Sequence, residues 1–136
     1  MVIKTSDTTI QSDATVNDDP HLQFMVSINE RVAGYAMIFV TSGTTPDFRY
    51  NFSVPAGTTG DRFDGALSGN VLAATATLVT EEAAIATTGS KQAILIPFSL
   101  LVSSTAGTVI FRWAQNTSTA SNTTVHAGSY IMVNRT

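Results

Sequence analysis

The stretch from residue 47 to residue 54 constrains the fold more than any other. Phe48, Tyr50, Phe52 and Val54 alternate with Asp47, Arg49, Asn51 and Ser53. Three aromatic rings therefore share a parity with a valine, and polar groups occupy the other. An extended strand sends successive side chains to opposite faces, whereas a helix would scatter these residues around its axis. The stretch reads as a strand lying over an apolar core.

The same period recurs along the chain. Leu22, Phe24 and Val26 alternate with Gln23, Met25 and Ser27, and Val109, Phe111 and Trp113 with Ile110, Arg112 and Ala114. Within residues 93–102, Ile94, Ile96, Phe98, Leu100 and Val102 share a face, and Pro97 on the other parity points to an edge strand or a bulge, because proline donates no ladder hydrogen bond. Residues 32–41 are apolar on both parities, Tyr35, Met37 and Phe39 on one and Ala36, Ile38 and Val40 on the other. Such a strand is central or covered at an interface. Residues 70–80 give a further strand with Val71, Ala73, Thr75, Thr77 and Val79 on one parity. Residues 125–133 close the domain, with Tyr130 and Met132 opposite Ile131 and Val133. Residues 81–86 fit a short helix or an extended segment equally well.

Turn chemistry separates these runs at Asp18-Asp19-Pro20, Asn29-Glu30, residues 42–46 and residues 103–107. Residues 55–69, with four glycines around Phe63, read as a long loop anchored by one aromatic, and residues 116–124 as a polar loop. The expectation is an all-β chain, an antiparallel β-sandwich of jelly-roll-like form with seven or eight strands. No interval supplies the helix that a parallel crossover needs. The 136 residues make one domain over 14–136, preceded at 1–13 by an N-terminal arm or edge strand in which residues 8–11 form a candidate short strand.

Composition narrows the partners. Threonine occurs 21 times and serine 13 times, while charged residues are only 12% of the chain, about half the usual share. Hydroxyl-bearing surfaces suit strands and lose less on leaving water than charged ones, so extensive contact with other protein is permitted. Seven Lys and Arg against ten Asp and Glu leave no basic footprint for nucleic acid. With no cysteine, disulfides and thiolate chemistry are absent. The N-terminus lacks the apolar core of a secretory signal, and the most apolar stretch, residues 93–102, is too short for a spanning helix. No nucleic-acid partner and no membrane are expected.

Catalytic and metal chemistry have little to build on. His21 and His126 are the only imidazoles, and each flanks a strand boundary. Ser129, His126 and Asp64 can be assembled on paper, as in almost any serine-rich chain, but there is no Gly-x-Ser-x-Gly elbow and no phosphate-binding glycine loop with lysine. Asp18, Asp19, Asp47, Asp61 and Asp64 admit a calcium loop, Asp61 and Asp64 being three apart among glycines, although a calcium loop normally has a denser run of ligands. The expectation is no enzyme, with catalytic, cofactor-binding and metal residues all none. Phe63 in its loop and Trp113 beside Phe111 read as anchoring and core residues rather than stacking platforms.

Three stretches resemble a known family. They are Asp18-Asp19-Pro20-His21-Leu22; Ser42-Gly43-Thr44-Thr45-Pro46-Asp47-Phe48-Arg49-Tyr50-Asn51-Phe52-Ser53-Val54-Pro55-Ala56-Gly57; and Gly107-Thr108-Val109-Ile110-Phe111-Arg112-Trp113-Ala114-Gln115-Asn116-Thr117-Ser118 with Ala127-Gly128-Ser129-Tyr130. They are similar to segments of small virion structural proteins and tail-associated β domains of tailed bacteriophages, over roughly residues 14–135. The resemblance implies architectural glycines and aromatics, no catalytic residues and no cofactor. It implies a capsid decoration or cement protein, made in the host cytoplasm and carried on the outer surface of the capsid. There it would contact the major capsid protein, as a homo-oligomer, a trimer. A receptor- or glycan-binding module of a tail fibre or baseplate is the alternative, with residues 55–69 and 116–124 carrying recognition. The absence of heptads favours a free-standing subunit, with residues 1–13 as its tether.

Overall fold

The computed structural model describes residues 1–64 and 76–136. Among them are twelve strands: β1 (Val2–Ile3), β2 (Thr8–Ile10), β3 (Asn17–Val26), β4 (Arg31–Thr41), β5 (Phe48–Ser53), β6 (Thr59–Phe63), β7 (Ala76–Leu78), β8 (Ala83–Ile85), β9 (Gln92–Leu101), β10 (Gly107–Ala114), β11 (Thr123–Val125) and β12 (Tyr130–Arg135). Seven of them have five or more residues, and six of these, all but β6, carry the alternating or doubly apolar patterns read from the sequence. The other five have two or three residues, too few to show a period, which is why the sequence suggests seven or eight.

All the pairings are antiparallel, and they are nested. The first strands meet the last (β1 with β12, β2 with β11), then β3 meets β10, β4 meets β9 and β5 meets β8, with the β6–β7 hairpin innermost. Lateral pairings of β4 with β11 and β12, of β10 with β5 and of β9 with β6 gather the strands into two sheets. The larger runs β1-β12-β4-β9-β6-β7, with β11 between β2 and β4; the smaller runs β3-β10-β5-β8. The chain is an all-β antiparallel sandwich.

One face of each sheet fills the space between them. Leu22, Phe24 and Val26 of β3, Phe48, Tyr50 and Phe52 of β5, and Val109, Phe111 and Trp113 of β10 meet Val32, Ala36, Ile38 and Val40 of β4, Ile94, Ile96, Phe98 and Leu100 of β9, and Ile131 of β12. The rings form a chain of contacts. Phe48 lies 5.9 Å from Trp113, Tyr50 5.7 Å from Phe111, and Phe52 5.4 Å from both Phe111 and Phe98. Such pairs add roughly 0.5–1.5 kcal/mol each to the effect of burial.

Several details differ from the sequence reading. Residues 59–63, inside the supposed loop, form β6, and Gly60 makes this possible. A methyl group there would overlap the carbonyl oxygen of Ser99 on β9, so only glycine lets the two backbones close up. β9 is consequently an interior strand. Its ladder with β6 runs from Phe98 to Leu101 and stops before Pro97, so the missing N–H falls beyond the last registered pair. Residues 83–85 are extended and pair with β5, because that edge offers a ladder that an isolated helical turn cannot match. The strand expected over residues 70–80 lies outside the described residues up to Thr75; beyond that point β7 pairs with β6 and Val79 is buried.

Residues 1–13 are joined to the sandwich at depth. β1 and β2 extend the large sheet, and the Lys4 side chain between them is fully buried. Lys4 Nζ lies 2.8 Å from Asp19 Oδ2, 2.7 Å from Thr8 Oγ1 and 3.3 Å from His21 Nδ1. Asp19 also accepts from Trp113 Nε1 at 3.0 Å and from the backbone N–H groups of His21 and Leu22. An ammonium and a carboxylate buried without water need such saturation, since either one alone costs several kcal/mol. The pair ties the first strands of the large sheet to β3 of the small one.

Candidate docking face and the polar clusters around it

The outward face of the large sheet is apolar where it is widest. Because β4 has alternating side chains and its even-numbered ones enter the core, Tyr35, Met37 and Phe39 point out. The register sets their neighbours. Ile3, Tyr130, Met37 and Leu95 stand in one row across β1, β12, β4 and β9. Met132, Tyr35 and Pro97 form the next row, and Phe39 faces Ala93 in a third. The rings of Tyr35 and Tyr130 meet edge to face at 6.0 Å, and Lys91 Nζ lies 5.7 Å from the Phe39 ring centre. Ile3 is 49% and Leu95 44% exposed, so water covers apolar side chains across four adjoining strands. Contiguous faces of this kind mark contact surfaces. The signal for half of it is legible in the sequence, since β4 is apolar on both parities; Ile3, Tyr130 and Leu95 join it only through non-local register.

Beyond this face, toward the sheet's other end, is a shallow depression of about 460 Å³ floored by Ala33, Ser99 and Gly60, with Arg31, Asp61 and Leu101 among the residues around it. Small residues in three adjacent strands create it.

The carboxylates considered for calcium are separated, and four of the five are engaged by other partners. Asp18 pairs with Arg112 at 2.9 Å, Asp19 with Lys4, and Asp47 accepts the Thr87 N–H at 2.9 Å. Asp61 points outward from β6, level with Ser99, while Asp64 accepts from the Tyr50 hydroxyl and from Arg62 Nε. Among the described residues no three His, Asp or Glu side chains converge on a metal position. Phe63 is half-buried at the end of β6, and the rest of its expected loop from Gly65 lies outside the described residues. In the 116–124 segment, Gln115 is buried and gathers the chain inward, donating to the Ser121 carbonyl at 2.8 Å and accepting from the Thr119 N–H at 3.0 Å.

Arg62 is the second buried cation. Its Nη1 donates to the carbonyls of Leu78 and Val79, and its guanidinium centre lies 5.3 Å from the Tyr50 ring centre. Burial, reinforced by the Asp64 carboxylate, raises the Tyr50 hydroxyl's pKa far above its ordinary value, so it stays a donor.

Ser129, His126 and Asp64 are not brought together. The Ser129 hydroxyl donates to the His126 carbonyl and accepts from the Phe39 N–H, and Asp64 belongs to the Arg62 cluster. His126 is flanked instead by Thr41 at 2.8 Å and Asp7 at 3.2 Å, residues 85 and 119 positions away in sequence. No local pattern announces partners so distant. Among the described residues, no helix is long and apolar enough to cross a membrane.

No protein-family model, curated protein or solved structure matches this chain.

Proposed function

We propose that the protein is a virion structural subunit that decorates and stabilises a bacteriophage capsid, docking on the major capsid protein and on its own copies through the apolar outer face of the large sheet. The observation that carries this reading is the row Ile3, Tyr130, Met37 and Leu95 together with Tyr35, Met132 and Phe39, an outward apolar surface that the core does not use. Burying it would yield roughly 25 cal/mol per Å² of apolar area, less the cost of ordering the partners. Repetition around a symmetric shell would turn modest contacts into tight retention.

The nested pairing supports the jelly-roll form of the sandwich, an architecture that viral capsid proteins share with lectins and cupins. Fold alone does not assign function, so the weight stays on the face. A trimer at three-fold positions is the arrangement proposed, and the assembly role itself is mechanical. Isotope-standard mass spectrometry of purified particles tests the reading. Hundreds of copies per particle, removed when Met37 is changed to Asp, are expected; a few to a few dozen copies would assign the protein to the tail, and none would refute a virion role.

A further inference from the structure

We propose that Thr41, His126 and Asp7 form a hydroxyl–imidazole–carboxylate relay that hydrolyses esters of short acyl groups at one end of the apolar face. The proposal shares only Phe39 with the docking face and stands on the geometry of three residues that the assembly role does not use. Thr41 Oγ1 lies 2.8 Å from His126 Nε2, and His126 Nδ1 lies 3.2 Å from Asp7 Oδ2. This is the order that base-assisted attack requires: the hydroxyl on one ring nitrogen, and an orienting carboxylate on the other. A carboxylate at Nδ1 puts the proton on that nitrogen and leaves the Nε2 lone pair for the hydroxyl.

The relay is held in place from several directions. Thr41 ends β4, His126 follows β11, and Asp7 precedes β2. The His126 N–H donates to the Phe39 carbonyl at 2.9 Å, and its own carbonyl accepts from Ser129 Oγ at 2.8 Å. Asp7 Oδ1 accepts the Ala127 N–H at 2.8 Å. That backbone bond, together with His126 and the charge of Lys91, holds the Asp7 carboxyl below its ordinary value, so it is ionised near neutrality.

The surroundings define the substrate. Thr41 shares the outward parity of β4 with Phe39, so an acyl group bonded at its hydroxyl would meet the Phe39 ring, with Lys91 above it. The His126 side chain is 19% exposed and that of Asp7 54%, so the relay is open to solvent, which suits a short acyl group such as acetyl on a larger alcohol. Threonines flank the site: Thr124 stands beside Thr41 in the ladder and shares a 2.8 Å hydroxyl contact with Thr9, giving a hydrogen-bonding surface for a polyhydroxylated alcohol.

In the reaction, Thr41 Oγ1 bonds to the ester carbonyl carbon as its proton passes to His126 Nε2. The carbon–oxygen bond to the alcohol breaks, and the alcohol leaves with that proton, giving acyl-Thr41. Water then gives a proton to His126 and adds to the acyl carbon. Thr41 Oγ1 departs and recovers the proton, so ester and water become acid and alcohol.

The test uses the full chain with p-nitrophenyl acetate and a fluorophosphonate probe, adducts being located by peptide mass spectrometry and folding checked by circular dichroism. The expected result is an adduct on Thr41, with labelling and turnover each reduced about a hundredfold in His126→Ala. Thr41→Val, which keeps the branched shape, should abolish the adduct, whereas Thr41→Ser, with a less hindered hydroxyl, should retain it. Asp7 is a positioning residue: Asp7→Asn should lower kcat and leave KM unchanged, and Asp7→Glu should restore part of the loss. Adducts spread over Thr9, Thr124 and Lys91 with none on Thr41, or labelling of folded His126→Ala at the original rate, would overturn the proposal.

Discussion

The two outward faces of the sandwich are built from strands of similar length, yet they are chemically unlike. On the small sheet, Gln23, Ile110 and Ser53 stand in one row, and Asp18, Arg112 and Asn51 in another. Its charges are matched: Arg112 lies 2.9 Å from Asp18, and Arg49 3.2 Å from Glu82. The large sheet presents Tyr, Met, Leu, Ile and Phe over four strands. Both sheets already bury one face in the shared core, so folding accounts for neither exterior. A polar exterior is satisfied by water, whereas an apolar one gains only when something covers it. Met25 on the small sheet is also exposed, but it stands alone there, and the contiguous apolar rows of the large sheet are what support its proposed role as the docking side.

The strongest perturbation should disable both faces at once. Asp19→Ala would leave the Lys4 ammonium buried without its carboxylate and lower stability by about 3–5 kcal/mol, measured by urea unfolding. Removal of residues 1–12 should act in the same direction by taking Lys4 from Asp19 and His21. If either variant kept the parent's unfolding midpoint, the view that the N-terminal strands belong to the folded domain would fail.

Next in size is the direct comparison of exteriors. Met37→Asp with Leu95→Asp should weaken retention on particles about a hundredfold, equivalent to about 2.7 kcal/mol, while Ile110→Asp on the small sheet should leave retention within about twofold. Equal losses from both faces, scored by sedimentation of particles with bound protein, would erase the distinction. Gly60→Ala should cost about 1–3 kcal/mol by forcing β6 away from β9, read from the thermal midpoint.

The smallest expected effect concerns pH. The backbone N–H of Ala127 lowers the Asp7 carboxyl, aided by His126, and the backbone N–H of Ser27 lowers that of Glu30, aided by Arg135. A carboxyl depressed in the folded state contributes stability that is fully present above its unfolded value, 3.8 for Asp7 and 4.5 for Glu30, and is lost as pH falls through the folded value. Asp7 is exposed and Glu30 lies at the surface partly covered by Arg135, so Asp7→Asn and Glu30→Gln should only slightly flatten the acid limb of a stability–pH curve below about pH 4.5.

The sequence by itself determined that most of the long strands are extended and, where one parity alone is apolar, which side enters the core. Alternation at Phe48, Tyr50 and Phe52, or at Ile94, Ile96 and Phe98, is a local property of a strand with one apolar face, and the structure buries those residues. Even the double-sided character of β4 was legible. Tertiary structure alone decided the partners. Pairing in an antiparallel ladder depends on chain closure between residues up to about 130 positions apart, such as Val2 with Ile131, and no short window records it. Hence Lys4, polar and unremarkable in sequence, became a core residue, Gly60 turned an expected loop into a strand, and Asp7, Thr41 and His126 met at one end of a face that no single segment contains.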